Sequence, residues 1–453
     1  MKLYYLSQKD TNNKKDDYKL EFSDFEVVCP NSDFTSEKYI CVSYAWENIT
    51  KKHPFSNETN ISNRTLSVLQ TACYSFKQLL NSNEKDIVET NKIWVDSLCI
   101  PLNNKEDKEL HYFLMGEIYS KSMAVFVVLS TETEVVLNKV RNGNNFTGVD
   151  FEILNQDKWV SRHWTYQEIV NSGKIYICSE NSREKPIFAS VFFDKIANEI
   201  QNFSKINGLS TLDFQEKLPY LTSLEAVILD WRIMDYQERS IYQVMVNMEY
   251  RKSDYSSSKL KAMFGCISNQ LQSINFNSKD DYSIFLEICK LKEDYSFIFN
   301  TSKNRKLNNE KWCPISYDFK PIFSWLYCYG EGQKGKYING YLELDNIIIE
   351  KISNLNEEPL KKEEMIDYLK KLKFEGSYLS FETESGYFFN QFEIDLIDSE
   401  YLIGISTGIK WTFGAPAILI KKSPQPEIYD FISCGVFFGT QNKGVKHYKI
   451  IIN

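Results

Sequence analysis

From about residue 38 the chain alternates short apolar runs with longer segments whose apolar positions recur at helical spacing. That alternation is the mark of parallel strands joined by crossover helices. "KYICVS" is the first strand, and "NRTLSVLQTACYSFKQLL" follows with Leu66, Leu69, Ala72, Cys73, Phe76, Leu79 and Leu80 on one helical face. "KIWVDSLCI" is a second strand, ended by Pro101 and a polar loop; "EDKELHYFLMGEIYS" is the next helix. "MAVFVVLS" is a third strand, apolar without interruption as a strand covered on both faces must be. A polar insertion around "RNGNNFTG" leads to "WVSRHWTYQEI", read as a helix with Ser161 as N-cap, and then to a fourth strand, "GKIYICS".

The pattern changes twice more. Between about 212 and 295 the signals are mainly helical, as in "SIYQVMVNMEY" and "SSKLKAMFGCISNQL". From about 367 onward "GSYLSFETESGYFFNQFEI", "EYLIGIS", "APAILIKK", "IYDFISCGVFF" and "HYKIIIN" are short β-runs between Gly, Pro and Asp/Asn turns, which predicts a small barrel or sandwich. The expected organisation is an N-terminal extension over 1–37, an α/β domain over 38–205, a helical extension over 206–305 and a β-rich module over 306–453.

A chain of 453 residues exceeds the size of most single cores, so division into domains is expected. Net charge of −8 argues against the clustered basic face that nucleic-acid binding needs, although it leaves room for local basic patches. The longest apolar run, "MAVFVVL", is too short to span a bilayer, and "MKLYYLSQKDTNNKKDD" lacks the apolar segment of a signal peptide. A soluble, cytoplasmic protein is therefore expected. The ten cysteines are scattered with no CxxC pair and no metal-ligand spacing, so buried reduced thiols and no metal site are expected.

Polar residues gather at the C-terminal ends of the expected strands. Ser43 and Tyr44 end the first in "VSYAW", beside Trp46, and Asp96 and Ser97 end the second in "WVDSLC". In open α/β sheets ligands bind outside these ends, although Ser and Asp in such places also serve simply to cap the next helix. In "WVSRHWTYQEI", Trp164 and Glu168 stand four residues apart on one helical face, a carboxylate beside an indole suited to a cationic or electron-poor ring. Packing of Trp164 in the core with Glu168 at its edge is the alternative. Arg162 and His163 fall elsewhere on that helix and read as structural. "GEGQKG" from Gly330 to Gly335 matches GxGxxG but precedes a strand-like segment, so it reads as a hairpin loop. Cys99 lies at an apolar strand end with nothing nearby to make a thiolate.

The succession "YICVSYAW", "IWVDSLCI", "MGEIYSKSMAVFVVL", "WVSRHWTYQEI" resembles the consecutive boxes of the HET (heterokaryon incompatibility) domain. "YRKSDYSSSKLKAMFGCIS" and "EYLIGISTGIKWTFGAPAILIKK" are similar to segments that follow that domain in many fungal members. Glu47 stands where the first box usually closes with Gly, and Pro101 and Leu102 replace the Asn-Gln after the second. The HET domain in turn resembles the TIR domain, a flavodoxin-like parallel α/β fold. That likeness implies a role in programmed cell death, incompatibility or an immune-like response. By the same likeness, Glu168 is the carboxylate that supports hydrolysis of the nicotinamide–ribose bond of NAD or a related nucleotide. Trp164 or Trp46 would stack on the ring, and Ser43, Tyr44, Asp96 and Ser97 would hold polar parts of the ligand. No bound cofactor is implied, NAD being substrate. The alternative is a non-catalytic adaptor whose α/β domain self-associates while the C-terminal modules recognise a trigger ligand or protein. Enzyme and adaptor both remain open at this point.

Overall fold

The four apolar runs lie at the centre of one sheet in a computed structural model of the chain. It describes residues 3–9, 19–29, 36–56, 59–82, 84, 87–101, 105–233, 239–252, 256–267, 274, 279–307, 310–317, 319–324, 330–353, 363–394, 400–409, 414–439 and 446–453. Leu102, whose identity departs from the HET pattern, and Cys328 lie outside the described residues.

The chain begins with β1 (Tyr5–Gln8), β2 (Phe25–Val28), β3 (Ile40–Ser43), the β4 (Ile49–Lys52) and β5 (Asn60–Ser62) hairpin, and α1 (Thr65–Asn81). Next come β6 (Lys92–Val95), the single turn α2 (Asp96–Cys99), α3 (Lys105–Lys121), β7 (Ala124–Leu129), α4 (Glu134–Asn142) and α5 (Gly148–Gln156). They are followed by α6 (Lys158–Ser161), α7 (Trp164–Val170), β8 (Ile175–Ser179), β9 (Ile187–Phe188), α8 (Ala189–Asn207), α9 (Thr211–Lys217) and α10 (Pro219–Ile233). Then come α11 (Ile241–Glu249), α12 (Ser256–Ile267) and α13 (Asp281–Lys292).

Sheet order is β2-β1-β6-β3-β7-β8-β9. The central four strands are parallel, with Ile40 beside both Ile93 and Ala124, and Val125 beside Ile175. Every residue of β3, β7 and β8 is buried, as two-sided coverage by helices requires. In order of appearance the parallel strands run second, first, third, fourth. The connections therefore diverge between β3 and β7, the point in such a sheet outside whose C-terminal strand ends ligands generally bind. The core face of α1 is built on Val68, Leu69, Ala72, Cys73, Phe76 and Leu79, with Leu66 and Leu80 at its border.

The boundaries drawn from the sequence and the two units of the fold differ. One unit comprises 1–233 with 251–271, the other 234–250 with 272–453. Residues before 38 are not a separate extension, because β1 pairs antiparallel with β6 and covers that edge of the sheet. The helical stretch divides too, α12 joining the first unit while α11 and α13 belong to the second. Backbone contact explains the assignment of α12: Gly265 on it meets Gly116 on α3 so closely that a Cβ at 116 would lie 2.5 Å from the Gly265 carbonyl oxygen. Asn171, just after α7, donates to that same carbonyl at 2.9 Å. The crossing of two glycines therefore fixes the end of α7.

The second unit carries β10 (Gly335–Ile338), β11 (Tyr341–Lys351), α14 (Glu363–Lys371), β12 (Ser380–Glu382), β13 (Gly386–Asn390), β14 (Tyr401–Ser406), β15 (Gly414–Lys422), β16 (Ile428–Gly439) and β17 (His447–Ile452). β11, β14, β15 and β16 pair in succession, and β17 bonds to both β16 and β11, closing a barrel-like ring. Ile348, Phe388, Ile403, Ile405, Leu419 and Phe437 are among the side chains of its core. The "GEGQKG" segment is a loop that leads into β10, with Gly335 opening that strand, rather than the hairpin loop expected: the turn of the β10–β11 hairpin lies at Asn339 and Gly340.

Candidate functional site

The stretch Trp159–Ile169 folds as two short helices rather than one. Asp157 caps α6, its carboxylate accepting from the Trp159 N–H at 2.8 Å, so Ser161 ends that helix instead of capping the next. At Arg162 the backbone turns extended and pairs with Lys252, which donates to the Ser161 carbonyl at 2.5 Å and accepts from His163 N–H at 3.1 Å. Tertiary pairing wins over helix continuation here. Arg251 holds the break from beneath, one guanidinium nitrogen donating to the carbonyls of Val160 (3.2 Å) and Arg162 (3.1 Å) and to the Thr165 hydroxyl (3.0 Å). Its burial lowers its own proton affinity to about 10, so it stays charged at neutral pH.

The break sets the start of α7, and with it the placement of Glu168. That side chain points inward at 3% exposure, and the Ser43 hydroxyl at the end of β3 donates to its Oε2. Ser43 in turn accepts from the Trp159 indole N–H at 2.6 Å. Asp96, half-buried at the end of β6, accepts from the Trp46 indole at 3.2 Å and from the Ser97 N–H at 2.6 Å. Two carboxyl groups thus stand near one another at the sheet's C-terminal edge. Burial, and then the Asp96 charge, push the Glu168 carboxyl up to about 8, while the Ser43 hydrogen bond and the charges of Arg162 and Arg251 pull the other way. Burial likewise pushes Asp96 up to about 6 against the Ser97 and Trp46 donors and Arg162. Glu168 is therefore largely protonated at neutral pH.

The remaining sequence-chosen residues divide by accessibility. Tyr44 and Ser97 are buried and bonded to one another at 2.9 Å, with the Thr65 hydroxyl 2.7 Å from the Tyr44 oxygen. Ser43 is buried as well, its hydroxyl engaged by Trp159 and Glu168. Trp46 and Trp164 are half-buried, and Trp164 lies against Tyr112 of α3 with ring centroids 5.6 Å apart. The geometry joins Ser43, Glu168 and Trp159 in one hydrogen-bonded chain and Trp46 to Asp96 in another contact. Trp46, Tyr112 and Trp164 offer aromatic surface, Asp96 supplies a negative charge at neutral pH, and Glu168 a second carboxyl that can ionise. Such a combination attracts an electron-poor or cationic ring.

Four contributors were not singled out from the sequence. Trp159 stood in the quoted stretch, and an indole N–H that must find an acceptor was its one signal. Arg162, read as structural, acts on both carboxyls. Tyr112 lacked a periodicity cue, and Arg251 is brought in from far along the chain. Glu47, in place of the family glycine, is held by Arg64 at 3.1 Å and Lys158 at 3.0 Å. Arg64 also reaches Glu180 at 2.5 Å and the carbonyls of Ala45 and Leu129, both at 3.3 Å, tying together the loops after β3, β7 and β8. Cys99 is no nucleophile: burial pushes its thiol up to about 12. Among the described residues no group of His, Cys, Asp or Glu could hold a metal ion, and no helix is long and apolar enough to cross a membrane.

The β3 and β6 strand ends that carry Ser43 and Asp96 fall inside a segment that matches a family model. Residues 39–152 match the family model described as Heterokaryon incompatibility protein (HET). This HET segment includes Ser43, Tyr44, Trp46, Asp96, Ser97 and Tyr112, while Trp159, Trp164 and Glu168 lie beyond its end. A curated relative, Heterokaryon incompatibility protein 6, OR allele, of Neurospora crassa, is 29% identical over 133 residues, covering 28% of this chain and 19% of that protein. The chain thus spans about a fifth of the length of that relative. No solved structure matches.

Proposed function

We propose that this chain is an effector of an incompatibility or cell-death response, and that its α/β unit binds NAD or a related nucleotide and hydrolyses the nicotinamide–ribose bond. The carrying observation is Glu168, a buried carboxyl hydrogen-bonded to Ser43 at the sheet edge, with Asp96 and the Trp46, Tyr112 and Trp164 rings near the same edge. The role in incompatibility rests on the HET segment and on the name of the Neurospora relative. The TIR-like, flavodoxin-like assignment rests on the second-first-third-fourth order of the parallel strands, and the activity on analogy with that fold.

The chemistry follows from charge. A pyridinium ring near Glu168 favours the ionised carboxyl, so binding releases a proton at pH values between the lowered midpoint in the complex and about 8. Once ionised, the carboxylate stabilises an oxocarbenium-like ribose. The C–N bond breaks with its electron pair passing to the ring nitrogen, which leaves as neutral nicotinamide. Water adds to the ribosyl carbon and gives up a proton to solvent. Asp96, the more acidic of the pair, stays ionised at neutral pH and adds to the attraction for the ring. The purified chain, concentrated to favour assembly, should release nicotinamide from NAD, and Glu168→Gln should not.

A second reading is favoured by the burial of Glu168 itself. A neutral, hydrogen-bonded carboxyl is a sound structural element, and the chain would then be an adaptor that self-associates through its α/β unit without catalysis. In that case Glu168→Gln retains the cellular phenotype, and surface substitutions that block assembly abolish it.

A further inference from the structure

Trp159 has an indole that can only donate a hydrogen bond, and its acceptor is the Ser43 oxygen at 2.6 Å. With an N–H pointing at that oxygen, the Ser43 proton is directed to the other side, where Glu168 Oε2 receives it. All three side chains are buried, at 1%, 1% and 3% exposure for Trp159, Ser43 and Glu168, so water does not compete for these bonds. The chain of donors has one sense: indole to hydroxyl to carboxyl. The Glu168 backbone is secured independently, its carbonyl accepting from the Ser172 hydroxyl at 2.5 Å.

We propose that Trp159 is a positioning residue, which acts through Ser43 to hold the Glu168 carboxyl in one orientation, with Oε2 turned to Ser43 at the end of β3. Ser43 is then part of the support of Glu168 and does not contact the ligand. The inference rests on the reading of Glu168 as the working carboxyl. It also sets that group's proton affinity, since a hydroxyl that must donate favours the ionised form. Among the described residues, the other groups that act on Glu168 include Asp96 from α2, Arg162 and Arg251, Tyr119 from α3 and Cys41 from β3. Tyr119 and Cys41 are both pushed up strongly by burial and remain neutral, so the pH response near 8 belongs to Glu168.

The test uses the full chain without nucleotide, which separates it from any failure of the proposed hydrolysis. Carboxyl-labelled glutamate followed by NMR should give a Glu168 midpoint near 8, identified by its loss in Glu168→Gln. Ser43→Ala should raise that midpoint by about one unit, a tenfold gain in proton affinity, and Trp159→Phe should raise it by a smaller, few-fold step. In the unaltered chain one indole N–H signal should move with the same midpoint and lie flat in Glu168→Gln. That last measurement needs no Trp159 or Ser43 variant to fold. A Glu168 midpoint unmoved in folded Ser43→Ala or Trp159→Phe would overturn the proposal, as would the absence of any indole signal tracking Glu168.

Discussion

Glu168→Gln should make the α/β unit more stable in neutral and alkaline solution, although it removes a native side chain. Gln keeps the shape, accepts from Ser43 and carries no charge to bury. In the folded chain the Glu168 carboxyl is raised from 4.5 to about 8, chiefly by burial and then by the Asp96 charge. A carboxyl raised on folding supports the fold fully below about pH 4.5, and that support is lost as pH climbs through about 8. Between these limits the unfolded chain is ionised while the folded chain holds its proton, so stability falls by about 1.4 kcal/mol per pH unit. Across the whole interval the loss reaches about 5 kcal/mol, large against the 5–15 kcal/mol typical of a folded protein. The glutamine variant escapes it. Urea denaturation of both proteins from pH 4 to pH 9, read on the transition of the α/β unit, should give curves that coincide at the acid end. They should then diverge in favour of the variant up to about pH 8. A variant less stable than the unaltered chain at pH 9, or a gap independent of pH, would refute the reasoning.

Three further outcomes follow from neighbouring contacts. Asp96→Asn removes the largest charge acting to raise Glu168, so the Glu168 midpoint should fall below 8 in an NMR titration. Arg251→Met leaves the Val160 and Arg162 carbonyls and the Thr165 hydroxyl without a shared buried donor; it should lower stability by about 3 kcal/mol in denaturant titrations. Gly116→Ala places a methyl 2.5 Å from the Gly265 carbonyl oxygen and 2.7 Å from Asn171 Nδ2, so α3 and α12 must separate. A loss of about 1–3 kcal/mol is expected on thermal melting, and an unchanged melting temperature would show that the crossing yields freely.

The parallel core was legible because its strands are buried on both faces, and a two-sided strand has to be apolar throughout. "MAVFVVLS" and "GKIYICS" therefore declared β7 and β8 directly. The edge strands gave no such signal: β2 exposes two of its four residues and β9 consists of Ile187 and Phe188, too short for any periodicity. The helix break at Arg162 was hidden for another reason. "WVSRHWTYQEI" contains no Gly or Pro, and what interrupts it is backbone pairing with Lys252, a partner that local pattern does not encode. The site was half legible. Ser43, Asp96 and Glu168 were chosen because polar residues at strand ends and a carboxylate on a short helix are conspicuous in sequence. Their roles were not, since the orientation of the Ser43 hydroxyl depends on Trp159, and the charge state of Glu168 depends on burial, Asp96, Arg162 and Arg251.

The central claim is that Glu168 works on a nucleotide, and release of nicotinamide from NAD tests it most directly. At limiting NAD the concentrated full chain should liberate nicotinamide at a rate that rises with pH towards about 8, and Glu168→Gln, folded and at least as stable, should liberate none. No release at any concentration that drives assembly, or release undiminished in Glu168→Gln, would contradict the account.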